Sequence, residues 1–174
     1  MASSRWCDQQ VAVWGDQIGP NPTDRGKAGV KRSLLVEGDG GPLGATVDGA
    51  NRHDTKLLEA TIEAIVVERP APTEAAPQHL CLDKAYDNPT GEAAVLKHHY
   101  IPHLRRIGEE KLEDAGEIRY PARRWVVERT LSWLSKCRAL LVRYEKKASN
   151  YLAFLQLACA LLWFRRYARL SVLR

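Results

Sequence analysis

Two carboxylates stand out for their settings. Asp83 follows the apolar run Leu80-Cys81-Leu82 and precedes the turn formers Asp87-Asn88-Pro89. That pattern describes a buried strand delivering a carboxylate at its C-terminal edge. Glu128 lies in residues 123–134, where Trp125, Val126, Leu131 and Leu134 recur at helical spacing as inner-face candidates. It therefore falls on or beside the stripe that packs on the rest of the protein. Each has an ordinary reading on its own: Asp often closes a strand, and Glu128 can pair with Arg124 or with the nearby Arg123 and Arg129. Together they suit phosphodiester chemistry. Hard divalent ions such as Mg²⁺ take carboxylate oxygens, and two of them about 4 Å apart can activate an attacking oxygen and stabilise a leaving one.

The elements that would hold these carboxylates follow from periodicity. Ser33-Leu34-Leu35-Val36-Glu37 and Leu43-Gly44-Ala45-Thr46-Val47 flank Gly38-Asp39-Gly40-Gly41-Pro42, which predicts a β-hairpin. Asp54 is placed to cap a helix whose buried face carries Leu57, Leu58, Ile62, Ile65 and Val66. Residues 68–79, with Pro70, Pro72 and Pro77, form a surface connection. After the Asp83 strand come a short helix over 92–97 and a strand over 98–104 with Pro102 near an edge. Strands alternating with helices give an α/β layer.

Two regions read less regularly. Residues 1–32 show little hydrophobic periodicity and are dense in turn formers from Gly19 to Lys27, so a loop is predicted. Its Arg25, Lys27, Lys31 and Arg32 are candidate phosphate contacts. Residues 108–118 are charged without an apolar stripe and read as an exposed excursion. The stretch 151–164 is apolar on nearly every face. A bilayer crossing needs about 20 such residues, so a buried helix is expected rather than a membrane span.

The chain has 174 residues, 45% of them hydrophobic, enough for one domain with a core. Its net charge of +5 and isoelectric point near 9.1 favour a polyanionic partner. Cys7, Cys81, Cys137 and Cys159 are scattered, with no zinc or redox spacing, and no apolar segment follows the first residues as in a secretory signal. A cytoplasmic protein is expected. His53 lacks a partner at helical spacing, and His98, His99 and His103 lack nearby carboxylates in sequence, so all four read as structural or surface histidines.

The segments Gly19-Pro20-Asn21-Pro22-Thr23-Asp24-Arg25-Gly26-Lys27, Val47-Asp48-Gly49-Ala50-Asn51-Arg52-His53-Asp54, Leu80-Cys81-Leu82-Asp83-Lys84-Ala85-Tyr86-Asp87 and Arg123-Arg124-Trp125-Val126-Val127-Glu128-Arg129-Thr130 occur in order. With Lys31-Arg32-Ser33-Leu34-Leu35-Val36, Glu145-Lys146-Lys147-Ala148 and Asn150-Tyr151, they resemble the DDE transposases of the IS5 family of bacterial insertion sequences. The resemblance implies a ribonuclease-H-like mixed sheet with flanking helices over residues 19–170. It makes Asp83 and Glu128 the second and third acidic ligands of Mg²⁺ or Mn²⁺, with Arg124 and Arg129 as phosphate contacts beside Arg123. The implied substrates are transposon ends and target DNA. The implied setting is the nucleoid, with a homo-oligomer or the product of an upstream reading frame as partner.

Residues 1–18 depart from this pattern. The family's spacing brings Arg5-Trp6 to the place of the first catalytic Asp. Asp8 fits only with a shorter loop, and Asp16 lies too close to the Gly-Pro-Asn-Pro segment. A sheet lacking its first strand, without the helical segment that reads terminal repeats in the family, is therefore expected. That combination implies a remnant or a second reading frame.

Overall fold

The residues read as a loop form the central strand of the sheet. In the computed structural model, which describes residues 2–12, 14–104 and 124–172, β1 (Ala2–Val11) has strands on both sides. With β2 (Gly19–Pro20), β3 (Ala28–Val36) and β4 (Pro42–Gly49) it builds the antiparallel part. β1 pairs with β3 from Ser3 opposite Val36 to Gln10 opposite Gly29, and β3 pairs in turn with β4 and β2. On its other side β1 runs parallel to β5 (His79–Leu82), which is parallel to β6 (Ile101–Leu104). Further along, β1 is parallel to β7 (Val142–Arg143).

The expected absence of the first strand is thus corrected. Ser3, Ser4, Gln9 and Gln10 give β1 no strand-like composition, but its neighbours on both sides supply the backbone pairing that makes it a strand. For the same reason the residues from Ser33 to Val36 have no open edge toward β1.

Helices cover both faces of this mixed sheet. α1 (Asp54–Glu63) and α2 (Pro89–Lys97) share a core with Leu35, Leu80, Leu82, Tyr86 and Tyr100. On the other face, α3 (Arg124–Leu134), α4 (Arg138–Leu141) and α5 (Ala148–Val172) pack against Val30, Leu34, Val36, Ala45 and Val47. The pleat of β3 explains the division, because Leu34 and Leu35 point to opposite faces and both are buried.

Helix starts differ in detail from expectation. His53, not Asp54, occupies the cap position of α1. Asp54 is drawn instead into a 2.7 Å ion pair with Lys31. α2 begins at Pro89 with Asn88 as cap, its side chain accepting from Gly91 N–H at 2.9 Å, an arrangement that suits proline at the first helical position.

α5 was expected to be buried all round, yet it buries one side, with Ala148, Tyr151, Leu155 and Ala158 in the core and Leu152, Cys159 and Leu162 partly buried against it. Phe154, Leu157, Phe164 and Tyr167 are exposed, Leu157 to 66% and Tyr167 to 72%. A helix lying on one face of a sheet buries one stripe, whatever its composition. Among the described residues, no helix is long and apolar enough to cross a membrane.

The turn joining β3 to β4 is gripped by α3 and α5. Gly40 turns with φ +93°, and Glu37 accepts from the N–H groups of Asp39 at 2.9 Å and Gly41 at 2.8 Å. Arg166 donates to Glu37 at 2.7 Å, Thr130 to the Gly40 carbonyl at 2.8 Å, and Trp163 to the Pro42 carbonyl at 2.7 Å. Burial pushes the Glu37 carboxyl up, but the two N–H groups and Arg166 outweigh it and hold it below the ordinary value of 4.5.

Candidate active site

Asp83 sits where the sequence places it. Leu80, Cys81 and Leu82 are buried, and the next residue, Asp83, is half-buried as the chain leaves β5. A 3₁₀ turn over Lys84–Tyr86 follows at once, closed by the Tyr86 N–H donating to the Asp83 carbonyl at 3.0 Å. The wholly buried Tyr86 ring fixes that turn in the core, so the carboxylate is carried on a rigid exit.

Two elements flank it through β1. Ala2 stands opposite Leu80 and Ser3 opposite Cys81, and continuing that register sets Arg5 level with Asp83. α3 packs across β1 and β3, with Val126, Val127, Thr130, Leu131 and Leu134 inward. The inner face is rotated from expectation, since Val127 is buried while Trp125 is 56% exposed. Glu128 is therefore an exposed residue beside the stripe, placed on a helix that lies over the strand next to the Asp83 exit.

The candidate cations divide sharply. Arg25 is exposed in a turn with φ +51°, and Lys27 pairs with Asp24 at 3.3 Å with more than half of its side chain exposed. Lys31 and Arg32 are not surface residues, which corrects the expectation that they reach phosphates. Lys31 is 5% exposed and bonded to Asp54 and to the Arg52 carbonyl. Arg32 is completely buried, donating to Ser135 Oγ at 3.1 Å. Both belong to β3, whose two faces are covered. Arg124 opens α3, and Arg123 lies outside the described residues.

Arg129 is held in a place that sequence reasoning missed. Its guanidinium lies 4.8 Å from the Trp125 ring and 5.0 Å from the Trp133 ring, and donates to the Asp39 carbonyl. The spacing Trp125, Arg129, Trp133 was the available signal, because residues four apart stack along a helix face.

Asp16 is also accounted for. It accepts from Ala148 N–H, the first residue of α5, at 2.7 Å and from the buried Arg143 at 3.3 Å, which makes it a cap for a helix start. Asp8 stands opposite Lys31 on β1, three residues beyond Arg5.

A model of the transposase DDE domain matches residues 3–163. The chain belongs to the DDE transposase domain family. It is also 34% identical over 160 residues to a Burkholderia cepacia protein described as "Putative transposase for insertion sequence element IS402", a match covering 90% of this chain and 73% of the relative. The mixed sheet between helices agrees with the ribonuclease-H-like fold of such a transposase domain.

A DDE domain implies a divalent metal. Asp83, at the exit of β5, and Glu128, on α3, are the carboxylates that could hold it. Among the described residues, the one group of three potential ligands is Glu59, Glu63 and His98. It lies on the opposite helical layer from Glu128, and Lys97 bonds to its Glu59. His103 packs edge-on against His79, and burial followed by the neighbouring His79 holds it below the ordinary histidine value.

Proposed function

We propose that this chain is an insertion-sequence transposase domain of the IS5 type that engages DNA. Its acidic centre consists of Asp83 and Glu128, and Arg5 stands where a third ligand is needed. The reading is carried by one observation: Asp83 leaves β5 level with β1, the strand over which α3 bears Glu128. Arg124, at the start of α3, is the phosphate contact assigned to this centre, and Arg25 is a candidate contact in the exposed turn before β3. Substrate strands would be positioned there by charge without being read for sequence. With a cation in place of a ligand, the chain as it stands binds DNA without cutting it.

The test is nicking of supercoiled plasmid in Mg²⁺ and in Mn²⁺. The parent chain is expected to leave plasmid intact. Arg5→Asp, which completes the carboxylates, is expected to nick, and Glu128→Gln added to it to abolish nicking. If the parent itself nicks, and loses that activity in both Asp83→Ala and Asp8→Ala, the centre is built around Asp8 and the assignment of Arg5 is wrong.

A further inference from the structure

A cleft of about 670 Å³ opens between α3, α5 and the β3–β4 turn. Its rim is basic. Lys136, Arg165 and Arg169 line it with exposed side chains and have no ion-pair partner among the described residues, whereas Arg129 and Arg166, also in its wall, are committed to the turn. The acidic residue in the lining is Asp39.

A further, buried cation, Arg32, donates to Ser135 beside Lys136 of the cleft wall. Burial pushes the Cys159 thiol up to about 12, opposed by the charge of Arg32 and reinforced by Cys137. Cys137 itself lines the cleft.

Two indoles share this space with the cations. Trp133 is 40% exposed and Trp163 39%, and both line the cleft. Trp163 is locked by its bond to the Pro42 carbonyl and by its close approach to Gly41, where an added Cβ would lie 2.3 Å from the ring. Trp133 is steadied from one side by Arg129. A duplex presents phosphates to a basic surface and keeps its bases stacked inside, so it has no use for a concave pair of indoles. A single strand offers both phosphates and bare base faces, which match cations interleaved with aromatic rings.

We propose that the cleft between α3 and α5 is a second nucleic-acid site, holding a single-stranded DNA segment by stacking a base on Trp133 and seating its phosphates on Lys136, Arg165 and Arg169. The choice of DNA as the polyanion rests on the transposase reading. The site itself rests on the rings and charges.

The test is fluorescence anisotropy of a labelled oligo(dT) of about 12 nucleotides, with EDTA present, against the same strand annealed to its complement. The parent is expected to bind the single strand more tightly, with quenching of tryptophan fluorescence. Trp133→Ala is expected to weaken binding roughly tenfold and Trp133→Phe to restore most of it. Replacing Lys136, Arg165 and Arg169 together by Ala is expected to lower the slope of log affinity against log salt by about 2.

Single-strand affinity unchanged in a folded Trp133→Ala chain would overturn the proposal. So would duplex binding that equals single-strand binding, or displacement of the oligonucleotide by polyglutamate at equal charge, which would point to an acidic peptide. No nicking by the Arg5→Asp chain with single-strand binding intact would count against the acidic centre alone, and nicking by that chain without single-strand binding against this cleft alone.

Discussion

Lys31-Arg32 on β3 and Arg165-Arg166 on α5 are both adjacent basic pairs, and the fold treats them in opposite ways. On the strand, the pleat sends neighbours to opposite faces of a sheet covered on both sides, so Lys31 meets Asp54 and Arg32 meets Ser135, both out of water. On the helix, neighbours stay on the same half of the surface. Arg165 is exposed in the cleft wall, and Arg166 reaches Glu37 and Asp39. A basic pair in sequence therefore reports a polyanion site only once the element carrying it, and what covers that element, are known.

The comparison can be broken most forcefully at Lys31. Lys31→Ala leaves Asp54 buried without its cation, at an expected cost of about 3 to 5 kcal/mol in urea unfolding. A cost near that of a surface substitution would mean that the pair is not buried in solution.

Arg32 sharpens the same point with a smaller effect. Its Nε and Nη1 are buried without a hydrogen-bond partner among the described residues, so Arg32→Met removes an imperfectly satisfied charge and fills similar space. Tm is expected to hold or rise, and a fall as large as that for Lys31→Ala would show Arg32 to be a better-paired cation than its geometry indicates. The smallest effect belongs to the helix. Arg165→Ala should change stability by about 0.5 kcal/mol or less, measured by the same unfolding curve.

The parts of this fold that were legible in the sequence are those with local signals. The hairpin was readable from apolar runs flanking Gly38 to Pro42, and the Asp83 exit from Leu80-Cys81-Leu82 followed by turn formers. Both are realised because burial and turn chemistry there agree. The face of α3 was read one residue off, since Trp125 looks like core by composition but is used as a surface ring beside Arg129.

β1 was illegible for a different reason. Its residues carry little strand preference, and its pairing depends on β3, β5 and β7, none of them adjacent in sequence. The burial of Lys31 and Arg32 was hidden for the same reason, because it requires knowing that both faces of β3 are covered. The cleft between α3 and α5 joins residues more than twenty positions apart, Trp133 and Trp163 among them, and no local window contains it.

The central position of β1 also sets the order in which the molecule can assemble. This strand is synthesised before every one of its neighbours, yet Ala2 must wait for Leu80 and Gln10 for Val142. Pairings of such long reach close slowly. Until the last of them forms, the edges of β3 and β5 stay open to strands of other chains. Yield on refolding should therefore depend on protein concentration more steeply than the final stability would suggest, and the kinetic hazard of this domain lies in its waiting middle strand.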